Sequence, residues 1–88
     1  MSNILEKQHT VSVLTKLLEG DKFMTELSSV VSNYSTLRLL IRDLEDNGLV
    51  NVYEIVKDKR KVKVSLTEKG IAIANKLKEA QEILESNN

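Results

Sequence analysis

Three glycines and the absence of proline constrain the fold of this chain more than any other feature of its sequence. Glycine and proline interrupt helices and strands more strongly than other residues do, so these glycines are the expected ends of elements. Gly20, Gly48 and Gly70 each lie where the spacing of the apolar residues changes. The segments between them are therefore expected to be different kinds of element.

Four segments have the apolar spacing of amphipathic helices. Residues 2–19 are predicted to form one helix, with Ser2 as its N-cap and Gly20 as its C-terminal stop. A short helix of about two turns is predicted within residues 23–31, ending at residues 32–33. Residues 35–47 carry apolar side chains at i, i+3, i+4 and i+7, and Thr67 is the expected N-cap of a last helix that ends near Glu85.

Two segments rich in Val, Ile and Tyr, residues 49–56 and 61–66, are predicted to be strands. They flank the polar residues 57–60, which is the arrangement of a β-hairpin. The expected fold class is α+β and mostly helical, with the hairpin placed between the third helix and the last.

The chain has 88 residues and a mass of 9.9 kDa, which allows one compact domain spanning residues 1–88. No apolar run approaches the roughly 18 to 20 residues of a membrane span, so we expect a soluble, cytoplasmic protein with no membrane partner. Cysteine is absent, which excludes disulfides, thiolate metal sites and cysteine nucleophiles. A chain this short has little core, and this favours support from a second subunit.

Two motifs around the hairpin resemble those of winged helix-turn-helix transcription regulators, including their MarR-like, ArsR-like and small archaeal-type members. Residues 44–50 match the family pattern L-E-x-x-G-L-V, and residues 66–70 match the L-T-x-K-G that follows the wing. The resemblance runs from about Val11 to Ala80, which is most of the chain. It implies a helix-turn-helix, a two-stranded wing and a C-terminal helix, and it implies a homodimer that binds double-stranded DNA and regulates transcription, most simply as a promoter-occluding repressor.

The helix at residues 35–47 has the two faces that binding in a major groove requires, one apolar to anchor it and one polar to contact bases. At about 100° per residue, Arg38 and Arg42 share the polar face. Arginine can bond guanine through O6 and N7, and it can also clamp a phosphate. The predicted DNA contacts of this recognition helix are Tyr34, Ser35, Thr36, Arg38, Leu39 and Arg42.

Two features of the same helix favour other interpretations. Related regulators commonly have a polar or basic residue at the position of Leu39, and an exposed leucine reads bases only by touching a thymine methyl or else contacts a protein. The carboxylates of Asp43, Glu45 and Asp46 would repel phosphate, as expected of a merely solvated helix face. The alternative function is therefore a winged helix that serves as a protein-interaction module in a larger transcription or replication assembly.

Lys plus Arg and Asp plus Glu both count 13, so any DNA binding must depend on where the charges lie and not on net charge. Five basic residues and one Asp occupy residues 57–63, around the predicted hairpin tip. In the docking mode that the resemblance implies, this tip faces the duplex backbone or minor groove. The predicted wing contacts are Lys57, Lys59, Arg60, Lys61 and Lys63. A basic hairpin tip can also be only a solvated turn.

The terminal helices have more apolar residues than a single core contact needs. The last helix repeats apolar residues at spacings of 4, 3 and 4, which is typical of a short coiled-coil seam or of packing on the chain's own core. Ile71 and Ala74 are expected to face that core. A second stripe at i, i+4 and i+8 is predicted on the first helix. The predicted dimer interface is Leu5, His9, Val13, Ile73, Leu77, Ala80 and Leu84.

Enzyme sites lack their parts in this sequence. His9 is the only histidine, and no glycine-rich loop is available to hold a phosphate, so we expect no catalytic site, no metal and no cofactor. His9 is more simply explained as an exposed or interface side chain. No residue pattern points to a small-molecule effector.

Overall fold

The computed structural model describes residues 3–57 and 60–86, with the side chain of Arg60 left out. Within these described residues, four α-helices and a small antiparallel sheet confirm the predicted α+β, mostly helical fold class. In chain order the elements are a 3-10 helix at Ile4–Glu6, α1 Thr10–Leu17, β1 Lys22–Phe23, α2 Met24–Leu27, α3 Tyr34–Asp46, β2 Val50–Val56, β3 Arg60–Leu66 and α4 Glu68–Ser86.

The sheet has the order β1-β3-β2, and both strand pairs are antiparallel. The predicted hairpin is confirmed, with β2 and β3 paired in continuous register from Val50 opposite Leu66 to Val56 opposite Arg60. Asp58 and Lys59, in the predicted turn, lie outside the described residues. The third strand, β1, was not predicted from the sequence, because two residues are too few to show a period.

The apolar faces of the four α-helices meet the inner face of the hairpin in a common core. Val50 and Val64 line that inner face, and both are buried. The helix-borne part of the core comes mainly from α1 and α3, whose apolar stripes are buried almost completely. Leu49 lies shortly after α3, is also buried, and joins the helical part of the core to the hairpin.

The prediction of one helix over residues 2–19 is wrong. Asn3 and Glu6 form a capping box around the short 3-10 helix, and the chain then leaves helical geometry until His9, which has a φ of 71°. The buried Thr10 hydroxyl donates to the carbonyl oxygen of Ile4 at 3.0 Å, so the 3-10 helix is tied to the start of α1 instead of continuing it. Ser2, the predicted N-cap, lies outside the described residues.

This break also overturns the predicted second stripe of the first helix. Leu5, His9 and Val13 no longer share one helix, so they do not form a continuous face. Val13 is fully buried in the chain's own core and has no surface to offer a partner. Leu5 is 36% exposed and His9 is half-buried, so both retain some accessible surface.

Candidate nucleic-acid interface

Helix α3 presents the predicted recognition face to solvent. Its four buried side chains, Leu37, Leu40, Ile41 and Leu44, are each at most 3% exposed, so the helix is firmly seated on the core. The exposed residues of the opposite side include Ser35, Arg38, Leu39 and Arg42, and Asp46 lies there one turn after Arg42. The predicted division of this helix into an apolar face and a polar face is confirmed.

The first turn of α3 is closed by a side-chain cap. The Asn33 side-chain oxygen accepts a hydrogen bond from the backbone N–H of Thr36 at 3.0 Å. Tyr34, Ser35 and Thr36 are all exposed around this turn. The cap holds the start of the helix while their hydroxyl groups remain available to a ligand.

An ion pair that the sequence did not predict lies beside this face. Lys7 donates a hydrogen bond to the Asp43 carboxylate, and both side chains are 42% exposed. The pair neutralises one of the three carboxylates near the end of α3, while Glu45 and Asp46 are exposed. Lys7 and Asp43 are 36 residues apart, so no local spacing could have indicated their contact.

The basic residues of the wing differ in their surroundings. Lys57 is exposed beside the tip, whereas Lys61 lies with its Nζ atom 5.2 Å from the centre of the Phe23 ring. The Nζ atom of Lys63 is 3.7 Å from an Asp21 carboxylate oxygen, which offsets part of its charge. The predicted Lys59 and the Arg60 side chain lie outside the described part of the wing. Of the three lysines that the structure describes in the wing, Lys57 therefore has the charge most available to a ligand.

The two motifs that carry the family resemblance meet where α3, the wing and α4 join. The Thr67 hydroxyl donates to the Gly48 carbonyl oxygen at 2.6 Å and accepts from the Gly70 backbone N–H at 3.0 Å, so Thr67 is the cap that was predicted. A Cβ atom at Gly70 would lie 2.0 Å from the Leu49 carbonyl oxygen. Only glycine permits this approach, so the start of α4 lies directly against the segment that connects α3 to the wing.

Helix α4 changes character along its length. Ala74 is fully buried and α1 packs against α4, whereas Leu84 near the C-terminal end is 77% exposed. Ile73 and Leu77 are half-buried against the chain's own core. Ala80 is exposed. Ile71 was expected to face the core with Ala74, but it is 43% exposed, because the start of α4 turns its Gly70 side towards Leu49.

Two further properties concern only the described residues. No group of three or more His, Cys, Asp or Glu side chains is close enough to hold a metal ion within residues 3–57 and 60–86. In the same part of the chain, no helix has both the length and the apolar character that crossing a bilayer requires.

The sequence matches the model of the HxlR-like helix-turn-helix family over residues 4–88. No curated protein matches it significantly. Solved structures with the same fold include a transcriptional regulator homologue from Pyrococcus horikoshii OT3, with 24% identity, 97% of this chain and 87% of that chain covered, and a TM-score of 0.80. The transcriptional regulator YodB from B. subtilis, in its reduced form, has 26% identity, coverage of 90% and 79%, and a TM-score of 0.72.

A MarR-family transcriptional regulator from Enterococcus faecalis V583 is similar as well, with 22% identity, coverage of 94% and 77%, and a TM-score of 0.82. Together with the family match, these likenesses confirm the resemblance to winged helix-turn-helix regulators. The chain belongs to the HxlR-like helix-turn-helix family.

Proposed function

We propose that this protein is a cytoplasmic transcription regulator that binds double-stranded DNA as a homodimer. The observation that carries the proposal is the exposed polar face of α3, which is backed by four almost fully buried apolar residues. A helix so anchored can enter a major groove while its apolar face stays packed on the core. The junction at Thr67 and Gly70 supports a fixed placement of the wing beside that helix.

Within α3, the two arginines have different neighbours. Arg38 lies one turn after Tyr34, nearer the capped start of the helix, and N-terminal residues of a recognition helix are the ones that contact base edges. Arg42 lies one turn further on, next to the Lys7–Asp43 pair. Arg38 is therefore the better candidate for bidentate contact with a guanine, and Arg42 is placed for a base or a phosphate. Tyr34, Ser35 and Thr36 would contact phosphate or base at the helix start.

The wing would contribute affinity without sequence preference. Its predicted phosphate contacts are Lys57, Lys59, Arg60, Lys61 and Lys63, and the exposure of Lys57 and Lys61 supports this role. Lys63 is the weakest member of the set, since Asp21 already offsets part of its charge.

The dimer would use the apolar surface that the domain leaves uncovered. Leu84 is 77% exposed and Leu77 is half-buried, two turns apart on one face of α4. With Val13 excluded, the interface that we propose is Leu5, His9, Ile73, Leu77, Ala80 and Leu84. Analytical ultracentrifugation at tens of micromolar should find a dimer, and Leu84→Glu should shift it to monomer with an unchanged circular dichroism spectrum. A monomeric wild type under these conditions would contradict the proposal.

Duplex binding itself is tested by titrating the full chain against random and genomic fragments over a salt series. The logarithm of the binding constant is expected to fall linearly with the logarithm of the salt concentration. A footprint on selected genomic fragments is expected as well. A footprint that covers a promoter, with lower transcription in vitro when the protein is added, would support the repressor role. Higher transcription would contradict that role and leave DNA binding intact.

A second function is favoured by one observation, the 60% exposure of Leu39 on the recognition face. A leucine there is suited to a protein contact, which would make the winged helix an interaction module in a larger assembly. The absence of duplex binding at low salt, together with a protein partner that no longer binds the Leu39→Ala variant, would favour this alternative.

A further inference from the structure

Leu39 differs from every other aliphatic residue of α3, a helix that the structure describes in full. The other four are at most 3% exposed, whereas Leu39 is 60% exposed. An aliphatic side chain exposed to this extent forgoes part of the free energy that its burial would provide. Leu39 therefore gains from any ligand that covers it with an apolar group.

The position of Leu39 lies inside the polar face and not at its rim. It stands one turn after Ser35 and one turn before Arg42, and Arg38 precedes it directly. At 100° per residue Leu39 lies about 60° around the helix from Arg42, so a ligand that contacts Arg42 also reaches Leu39. Arg38 and Arg42, one turn apart, suit an anionic duplex. The Asp43 carboxylate, one turn after Leu39, is already paired with Lys7.

The surface around Leu39 is unlike a protein-docking patch. Tyr34 is the other exposed large apolar residue of α3, and at 100° per residue it lies about 140° around the helix from Leu39. Protein-binding surfaces usually form contiguous apolar patches, and on α3 the two groups are separated by charged or polar residues.

We infer that Leu39 reads the 5-methyl group of a thymine beside the base that Arg38 contacts. The thymine methyl is the apolar feature that a base pair shows in the major groove, and aliphatic side chains recognise it by direct contact. This inference rests on the proposed duplex binding. Leu39 would then determine the preference for a thymine in each half-site, although an aliphatic side chain cannot hydrogen-bond to a base.

The test compares thymidine with deoxyuridine, which lacks only the 5-methyl group of the base. A duplex selected from a random pool by the wild-type protein is prepared with each thymine of one half-site replaced in turn. At one position, the replacement should weaken wild-type binding about fourfold, the value expected for one buried methyl group. Leu39→Ala should bind the two duplexes equally, while Leu39→Met, which keeps an apolar side chain, should still prefer thymine.

Each outcome separates the inference from the function on which it rests. If no replacement affects the wild type, or if Leu39→Ala keeps the same preference for thymine, the inference is wrong while DNA binding stands. If Leu39→Ala weakens binding to both duplexes by the same factor, the inference is also wrong, because that effect does not depend on the methyl group. If the wild type selects no duplex, the proposed function and the inference both fail.

Discussion

Helices α3 and α4 are both amphipathic, but they use their apolar residues differently. The apolar stripe of α3 is buried within its own chain, and what remains exposed is mostly polar and charged. In α4 only Gly70 and Ala74 are buried, and the exposed residues of its last turns include Ile83 and Leu84. A helix whose exposed side chains are mainly charged is suited to an ionic partner. A helix whose exposed side chains include aliphatic groups is suited to a second protein surface.

The largest effect should separate the two helices by stability. Leu44→Ala removes a fully buried side chain from α3 and should lower the free energy of unfolding by about 3 to 4 kcal/mol. Leu84→Ala, at 77% exposure, should change it by less than about 0.5 kcal/mol when measured on the monomer. Urea unfolding of both variants measures the difference, and equal destabilisation by both would remove the contrast between the helices.

A second variant sharpens the comparison at the junction between the start of α4 and the segment that follows α3. Gly70→Ala places a Cβ atom 2.0 Å from the backbone oxygen of Leu49 and should cost about 3 kcal/mol, since backbone must shift to admit it. Asn75→Ala, at an exposed position of the same helix, is the matched control and should have little effect. Thermal unfolding distinguishes the two, and a Gly70→Ala variant as stable as wild type would show that α4 can slide at this junction.

The third prediction sets the recognition helix against the wing. Arg38→Ala should weaken binding to a selected duplex by about 2 kcal/mol and to random duplex much less, because base contacts specify while phosphate contacts supply affinity. Lys57→Gln with Lys61→Gln should weaken both duplexes alike and reduce the salt slope by roughly 0.9 for each phosphate that the wing no longer neutralises. Fluorescence anisotropy across a salt series measures both effects. An unchanged slope in the double variant would show that the wing contacts no phosphate and is only a solvated turn.

The smallest effect concerns the ion pair between the N-terminal segment and α3. Asp43→Asn should change the free energy of unfolding by at most about 1 kcal/mol, because both partners are 42% exposed. Lys7→Gln frees the Asp43 carboxylate, so it should weaken duplex binding slightly, whereas Asp43→Asn should not. Glu6→Gln is not a matched control because Glu6 caps the 3-10 helix, so Gln8→Ala serves instead. Equal affinities for Lys7→Gln and wild type would show that the pair has no role in binding.

Sequence reasoning succeeded where one period continued long enough to define an element. The four apolar residues of α3 and the alternation of β3 need no information about distant neighbours, and Thr67 is marked as a cap by its own position. The same reasoning failed at residues 2–19, where apolar spacing continued through a segment that is not helical. The break there depends on a hydrogen bond from Thr10 to Ile4 and on the positive φ of His9, neither of which leaves a periodic signal.

The amino-acid sequence by itself determined the anchored helix with its exposed Arg38 and Leu39, and the basic hairpin that follows. These features depend on the fixed geometry of a helix or strand, which converts spacing directly into faces. Only the tertiary structure decided that β1 joins the sheet, that Lys7 meets Asp43, and which apolar residues of α4 remain uncovered. Those outcomes depend on contacts between residues far apart in the chain, where packing and burial select one arrangement among many that local spacing permits.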